Sequence, residues 1–401
     1  MGLLRTNPSF ALLCVARTMS FAGGSLAHMA LVLYVASRGG GPAVATLLIV
    51  SDFSPSFLAP VLGSIGDRFD RRRLMIATQI LQAGTVLAIA AWLPALPVLL
   101  LLVAVNASLA RAFEPASSSA VPQLVSDADL VRANSMIGFG TYGLALVGPL
   151  GAAALTPLVG LRGVLVANAG AFLISVALLR RLPPLSPTQP GQDQPAPRHR
   201  PALWRDTMSG LRYVWADRTV RATLIGFTLL VACTGLDDVA LVFLAKNTFH
   251  AGDSVASLLY AGADVGVLLG FLALTRVTRL AAVPYFVAGM AVGSLGNLLT
   301  GLSWAVLPAI VCQAVRGVGI ASLEAGSRTL VQRCVPNAMQ ARVFANLSTA
   351  IGLAAGVSYV GGGIVLLSTS PGAVLFAAGA AGLLVTIGTA AALTTAARRT
   401  G

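Results

Sequence analysis

Charge is what this sequence has least of. Asp, Glu, Lys and Arg make up 10% of its 401 residues while 56% are hydrophobic, and a mean hydropathy of +0.83 is far above what a domain with a water-facing surface carries. A soluble globular fold is excluded on that ground. Lysine is nearly missing, Arg outnumbering it 26 to 1 with Lys246 the single example. Cysteine is sparse too. Cys14, Cys233, Cys312 and Cys334 lie in or beside apolar segments with no CxxC and no clustered His, which supports neither a disulfide framework nor a metal site. Phosphate-binding loops, zinc spacings and nucleophile elbows are absent, and the glycine-rich "GVGIASLEAG" sits in an apolar run where Gly serves close helix packing. No enzyme activity and no cofactor is expected. The net charge of +13 would suggest nucleic acid as a partner in a soluble protein, but the basic residues are scattered among short polar breaks and form no patch. Nucleic acid is not an expected partner.

What is present is apolar text in blocks of about 20 residues, the length a helix needs to cross a bilayer core of roughly 30 Å. Twelve such blocks are read, at 9–36, 43–62, 74–93, 97–121, 134–157, 163–182, 220–245, 255–275, 282–302, 304–328, 343–367 and 371–395. The expected fold is all-α and integral to the membrane. No cleavable signal peptide is expected, because the first apolar segment is long and carries Arg17 in its middle. The longest polar break opens with "PPLSPTQPGQDQPAPRHRP", a Pro-rich linker that cannot pack a core. It separates a first bundle of six helices, residues 1–182, from a second, residues 220–401. The rest of the break, "ALWRDTMSGLRYVWADR", repeats Trp204, Met208, Leu211 and Trp215 at helical spacing. That amphipathic helix lies either on the membrane surface or on the cytoplasmic face of the protein itself.

Basic residues set the orientation. If residues 63–74 are cytoplasmic, 21 basic residues share that side against three on the other and three within spans, which puts both termini on the cytoplasmic side of the cell membrane. The two halves are also copies. A shift of 210 residues lays "FEPASSSAVPQLVSDADLVR" on "LEAGSRTLVQRCVPNAMQAR", matching Glu114 with Glu324, Ser117 with Ser327 and Arg132 with Arg342, and the same shift lays Ala30, Leu31 and Val32 on Ala240, Leu241 and Val242. A constant offset at both ends of the half argues for a duplicated six-helix unit.

Six charges crowd into seven positions of "GSIGDRFDRRRL", between the second and third blocks. With Gly63, Asp67, Arg68, Arg71 and Arg72, it resembles the Gly-x-x-x-Asp-Arg-x-x-Arg-Arg loop of the major facilitator superfamily. "ARTMSFAGGSL", "FEPASSSAVPQLVSDADLVRANS" and "SRTLVQRCVPNAMQARVFA" are similar to the branch holding macrolide-efflux and siderophore-export proteins, and the likeness covers essentially the whole chain. The resemblance implies two six-helix bundles working by alternating access, with the loop as a cytoplasmic latch of the outward-open state. The alternative is a plain positive-inside anchor, for which Asp67 and Asp70 would be superfluous. Asp67 could pair with Arg68 or Arg71, or cap a neighbouring helix. Two departures stand out: the matching stretch of the second half, "GFLALTRVTRL", has no acidic residue, and "GPLGAA" in the fifth block falls short of the Gly-Pro-x-x-Gly-Gly signature of proton antiporters.

An ionisable group in mid-bilayer costs roughly 2.5–3.5 kcal/mol even on the lenient insertion scale, so each one within a span is a functional candidate. Arg17 and His28 are three turns apart on one face, about 16 Å, and Arg17 either lines a cavity with His28 or snorkels to the interface. Asp52, beside Ser51 and Ser54, is either a carboxyl that loads and releases a proton or a neutral hydrogen-bonded one. Arg111 with Glu114, and Glu324 with Arg328, stand at pairing distance as gating or structural pairs. Arg316 needs a partner from another helix. Asp237 and Asp238 are adjacent and cannot both face one cavity while ionised, so one is protonated or paired with Arg316. Asp264 completes the set. The expectation is a secondary transporter exporting a small amphipathic or hydrophobic compound in exchange for protons. The alternatives are an importer or lipid flippase of the same fold, or a transport-inactive sensor or scaffold. The sequence leaves the oligomeric state open.

Overall fold

Apolar runs of this length must satisfy their own backbone groups, which makes helix the element available to them in lipid. The computed structural model describes residues 2–48, 69–185, 203–250, 253–276, 282–366 and 368–397, and the regular structure among them is all helical. In chain order the helices are α1 (Gly2–Thr6), α2 (Pro8–Leu48), α3 (Arg71–Trp92), α4 (Leu96–Leu124), α5 (Leu130–Leu179), α6 (Leu203–Ala216), α7 (Arg218–Thr234), α8 (Asp237–Phe243), α9 (Asp253–Leu274), α10 (Ala282–Gly301), α11 (Val306–Cys334), α12 (Gln340–Val365) and α13 (Pro371–Ala397). Among the described residues, seven helical stretches are long and apolar enough to cross a membrane. Their outward faces carry exposed apolar side chains, with Trp92 and Trp304 at helix ends 77% and 85% exposed, as a lipid-facing surface with an aromatic belt requires.

Three boundaries differ from the sequence reading. Helix α2 runs unbroken from Pro8 to Leu48, through the predicted loop at 37–42. Three successive glycines there are a propensity signal of about 1 kcal/mol each, which context overrides. The fifth and sixth spans form one continuous element, α5, with its break at Gly160, whose φ of 67° and ψ of 174° lie in a region essentially reserved for glycine. The seventh span is interrupted at Gly235 and Leu236, restarts at Asp237 as α8, and ends in a π-helical turn over Leu244–Thr248.

The chain forms two compact units: Met1–Ser126 with Gly140–Leu211 and Val335–Thr349, and Asp127–Phe139 with Arg212–Cys334 and Ala350–Gly401. Each unit therefore takes in the opening turns of one helix from the other half of the sequence, α12 in the first and α5 in the second. The two borrowed segments are related by the same 210-residue shift.

That shift also relates the cores. In the first unit Leu31, Val35, Leu99 and Leu165 are buried together, joined by Val86 and Ile89 of α3 and Phe172 of α5. In the second unit Leu241, Ala245, Ala309 and Leu375 form the corresponding cluster. Glycines let α11 approach its neighbours closely: a Cβ at Gly317 would strike the backbone of Ala263 and Val267 in α9, and one at Gly319 the backbone of Gly293 and Gly289 in α10. Such backbone contact is how helices pack where burial of apolar surface supplies no driving force.

Candidate functional site

Within the first unit's core Ala27 is a buried apolar residue of α2; its partner under the 210-residue shift is Asp237. The duplication is thus broken by a carboxylate at a core position, the substitution that packing alone would least favour. Asp237 opens α8 just after the break in the seventh span, and its side chain is 1% exposed. One carboxylate oxygen, Oδ2, lies 2.5 Å from Arg316 Nη2 of α11 and accepts a hydrogen bond from Asn297 Nδ2 of α10 at 2.9 Å. Arg316 Nη1 donates to Gln313 Oε1 at 3.4 Å, and Gln313 Nε2 donates to Thr300 Oγ1 at 3.0 Å. Arg316 lies ten residues into α11, about 15 Å along the axis, near the middle of a 30 Å core. Three helices thus converge on an ion pair where unpaired charge is least tolerable. Gly296 makes room for it, since a Cβ there would collide with Arg316.

The first unit carries a smaller polar centre. Arg17 of α2 donates from Nη1 to Ser118 Oγ of α4 at 3.1 Å, and its Nη2 stands 3.8 Å from Glu114 Oε1. Arg17 is therefore drawn inward to α4. In the second unit Arg328 Nη2 lies 3.8 Å from Glu324 Oε2, one turn along α11. Glu114 and Glu324 are the chain's only glutamates and are repeat mates, yet their arginines come from different places. Arg328 stands at the repeat position of Ser118, while the counterpart of Arg17 is Phe227, which packs edge-to-face on Phe286 with ring centroids 6.3 Å apart. His28 is half-buried on α2, and Asp264 is exposed on α9. Arg111 lies on α4 and Asp238 in the first turn of α8.

Of the charged loop, Gly63, Asp67 and Arg68 lie outside the described residues, as does Asp52. The portion that is described is firmly held. Asp70 Oδ1 accepts the Arg73 backbone N–H at 2.9 Å and so caps α3, while its Oδ2 accepts the Leu185 N–H at 2.9 Å. Arg72 Nη2 donates to the Arg180 carbonyl at 2.5 Å. Arg71 is fully buried and donates to the carbonyl of Asn337, in the segment this unit borrows from the second half. The segment borrowed in return is held likewise: Asn134 Nδ2 donates to Gln332 Oε1 at 2.6 Å and to Thr329 Oγ1 at 3.0 Å, and Arg333 Nε meets Asp127 Oδ1 at 2.8 Å. Helix α6 makes a contact in each unit, Arg342 Nη1 donating to Ser209 Oγ at 2.7 Å in the first and Tyr213 Oη to the Cys334 carbonyl at 2.8 Å in the second.

Sequence reasoning weighed charges and passed over Asn134, Asn297, Thr300, Gln313 and Gln332. For Asn297 and Gln313 the signal was available, because an amide within an apolar span has to find a partner.

Duplicated helical halves of apolar spanning helices around a buried ion pair point to a class, the membrane transporters. The family model for the Major Facilitator Superfamily matches residues 13–247, and the chain belongs to that superfamily of membrane transporters. It is 26% identical over 375 residues to the MFS-type transporter YfiS of Bacillus subtilis (strain 168), covering 90% of this chain and 88% of that one. It is 22% identical over 352 residues to Macrolide efflux protein A of Streptococcus pyogenes, covering 84% of each. Among solved structures it resembles a bacterial homologue of the iron transporter ferroportin in an outward-facing state, with a TM-score of 0.76, 17% identity and coverage of 96% and 99%. It also resembles the human organic anion transporter MFSD10 (TETRAN), with a TM-score of 0.74, 16% identity and coverage of 94% and 98%. The fold is that of the superfamily, and the chain is a multi-pass membrane protein.

Proposed function

We propose that this protein is a proton-driven exporter of small amphipathic or hydrophobic compounds in the cell membrane, with both termini cytoplasmic. The observation that carries the reading is the buried pair of Asp237 and Arg316, placed where the duplication otherwise puts an alanine. A proton delivered to Asp237 dissolves the ion pair and leaves Arg316 to its amide neighbours. Loss of the proton restores the pair. Two charge states with different helix-to-helix bonding are what coupling a gradient to a conformational change requires. The likeness to Macrolide efflux protein A supports the outward direction and a lipophilic cargo.

The contacts of the two borrowed segments supply the element to be switched. Arg71 on Asn337, and Asn134 on Gln332, tie residues of one sequence half to the other on the side richest in arginine. Parting the two sequence halves on that side requires both sets to break and the borrowed segments to leave their units, so Arg71 acts as the latch with Asp70 holding its helix start. Arg17 with Glu114, and Glu324 with Arg328, act as paired braces on α4 and α11.

The test is accumulation of lipophilic antibiotics and dyes in efflux-deficient cells expressing the wild type or Asp237→Asn. Export predicts lower accumulation with the wild type, abolished by a protonophore and by the substitution. Equal accumulation with every compound, the protein being present in the membrane, contradicts it.

A further inference from the structure

Away from the buried ion pair, α7 and α13 enclose a groove of about 610 Å³ whose two ends differ in chemistry. Its mouth is formed by Arg218 and Arg221, in the first turn of α7. Arg221 Nη1 donates to the carbonyl of Trp215 at 2.6 Å, and Trp215, 56% exposed at the end of α6, marks the level of the membrane interface. Beyond the arginines the walls are mostly apolar, with Thr389 and Thr395 of α13 the polar exceptions. Ile225 and Leu229 line it from α7, and Val385 and Ala392 from α13. Two glycines shape the floor. Gly226 lets Thr389 come close, and Gly388 faces open space, with no atom within 4 Å of where its Cβ would be.

From Arg218 to Leu229 is eleven residues, about 16 Å along the helix, close to the half-thickness of a bilayer core. Two cations at the interface above a narrow apolar slot of that depth match one molecule class: an anionic phospholipid, headgroup on the guanidinium groups and acyl chain along Gly388. A free phosphate would leave the slot unused, and a zwitterionic lipid would leave the arginines half-answered. We infer that this groove is a binding site for an anionic phospholipid of the leaflet that Arg218 faces, distinct from the transported compound. Residues Arg218 and Arg221 hold the phosphate, and the α7–α13 slot holds one chain. Basic pockets between spanning helices on the arginine-rich side recognise such headgroups.

Native mass spectrometry of the purified full chain, titrated with dioleoyl phosphatidylglycerol, dioleoyl phosphatidylcholine or glycerol phosphate, tests this. Phosphatidylglycerol is expected to bind the wild type in preference to the other two. Arg218→Gln is expected to weaken it about fivefold and Arg218→Gln with Arg221→Gln about 25-fold, from the usual contribution of a basic residue near an anionic surface. Gly388→Phe, whose Cβ would have no atom within 4 Å, puts a ring into the slot and is expected to weaken phosphatidylglycerol binding at least tenfold while leaving the arginines in place. Equal binding of phosphatidylcholine would make the groove ordinary lipid-facing surface and overturn the inference. Glycerol phosphate binding as well as phosphatidylglycerol would reduce it to an anion site, and unchanged binding in Gly388→Phe would remove the chain from the slot. Either result overturns the assignment. Proton-driven export is read separately, since Asp237→Asn is expected to leave lipid binding intact.

Discussion

Replacing Asp237 with Asn keeps the shape of the side chain, and its amide oxygen still accepts from Asn297, but it removes the charge facing Arg316. Both side chains are shielded, at 1% and 15% exposed, so the guanidinium left behind has little water to turn to. Its bond to Gln313, at 3.4 Å, is long. Removing one partner of a buried pair costs about 3–5 kcal/mol, and the retained amide bond, worth about 1 kcal/mol, argues for the lower end. Asp237→Asn should therefore lose about 3 kcal/mol, most of it the cost of an uncompensated cation. The double variant Asp237→Asn with Arg316→Gln removes both charges and should lose only about 1 kcal/mol, because exchanging a whole buried pair for neutral groups is often nearly neutral. Unfolding of the full chain by SDS titration in mixed micelles measures both. The double variant should regain stability yet remain unable to couple export to protons. An Asp237→Asn variant as stable as the wild type, or a double variant whose loss equals the sum of the two singles, would refute the ion pair as a buried structural unit.

Arg71→Gln removes a charged donor from the Asn337 carbonyl at a fully buried site; a loss of about 2 kcal/mol and slower export are expected, by unfolding and by efflux rate. Gly160→Ala meets no atom within 4 Å, so its cost is purely that of the backbone region, about 1–3 kcal/mol, read as a lowered unfolding midpoint. Burial first, then Asp217 and Cys334, push the Tyr213 phenol above its ordinary value. A raised folded-state value makes the stabilising contribution fully present below the unfolded value near 10 and lost as pH rises through the folded one. Tyr213→Phe should abolish that alkaline step in a pH series of unfolding midpoints and cost about 1 kcal/mol at neutral pH, the worth of its bond to Cys334.

The helical architecture was legible because lipid imposes it: apolar blocks of spanning length and the 210-residue offset needed no tertiary information. The same offset recurs in the packed cores, where Leu31 and Leu165 answer to Leu241 and Leu375. Boundaries were less legible. Gly39 to Gly41 read as a loop and lie within helix α2, whereas the positive φ of Gly160 does fall between two predicted spans. At the site, the demand of Arg316 for a partner on another helix followed from the cost of a lone cation in lipid, and adjacency of Asp237 and Asp238 could not say which of them meets it. That choice depends on how α8 restarts after Gly235, a tertiary feature. Asp70 was passed over for Asp67 because the family pattern drew attention to the latter, although an Asp directly before "RRRLMIATQ" is an ordinary N-cap signal. Neutral amides escaped notice because hydropathy weighs them little against charge, while burial makes their hydrogen bonds obligatory.

The most direct test of the central claim is proton movement in liposomes containing the purified chain and an internal pH dye. With an inward-directed compound gradient and no initial pH gradient, adding an exported compound should shift the internal pH in the wild type and leave it unchanged in Asp237→Asn. Compound flux with no pH change in the wild type, or the same pH change in both proteins, would contradict the account of Asp237 as the proton-coupling carboxylate.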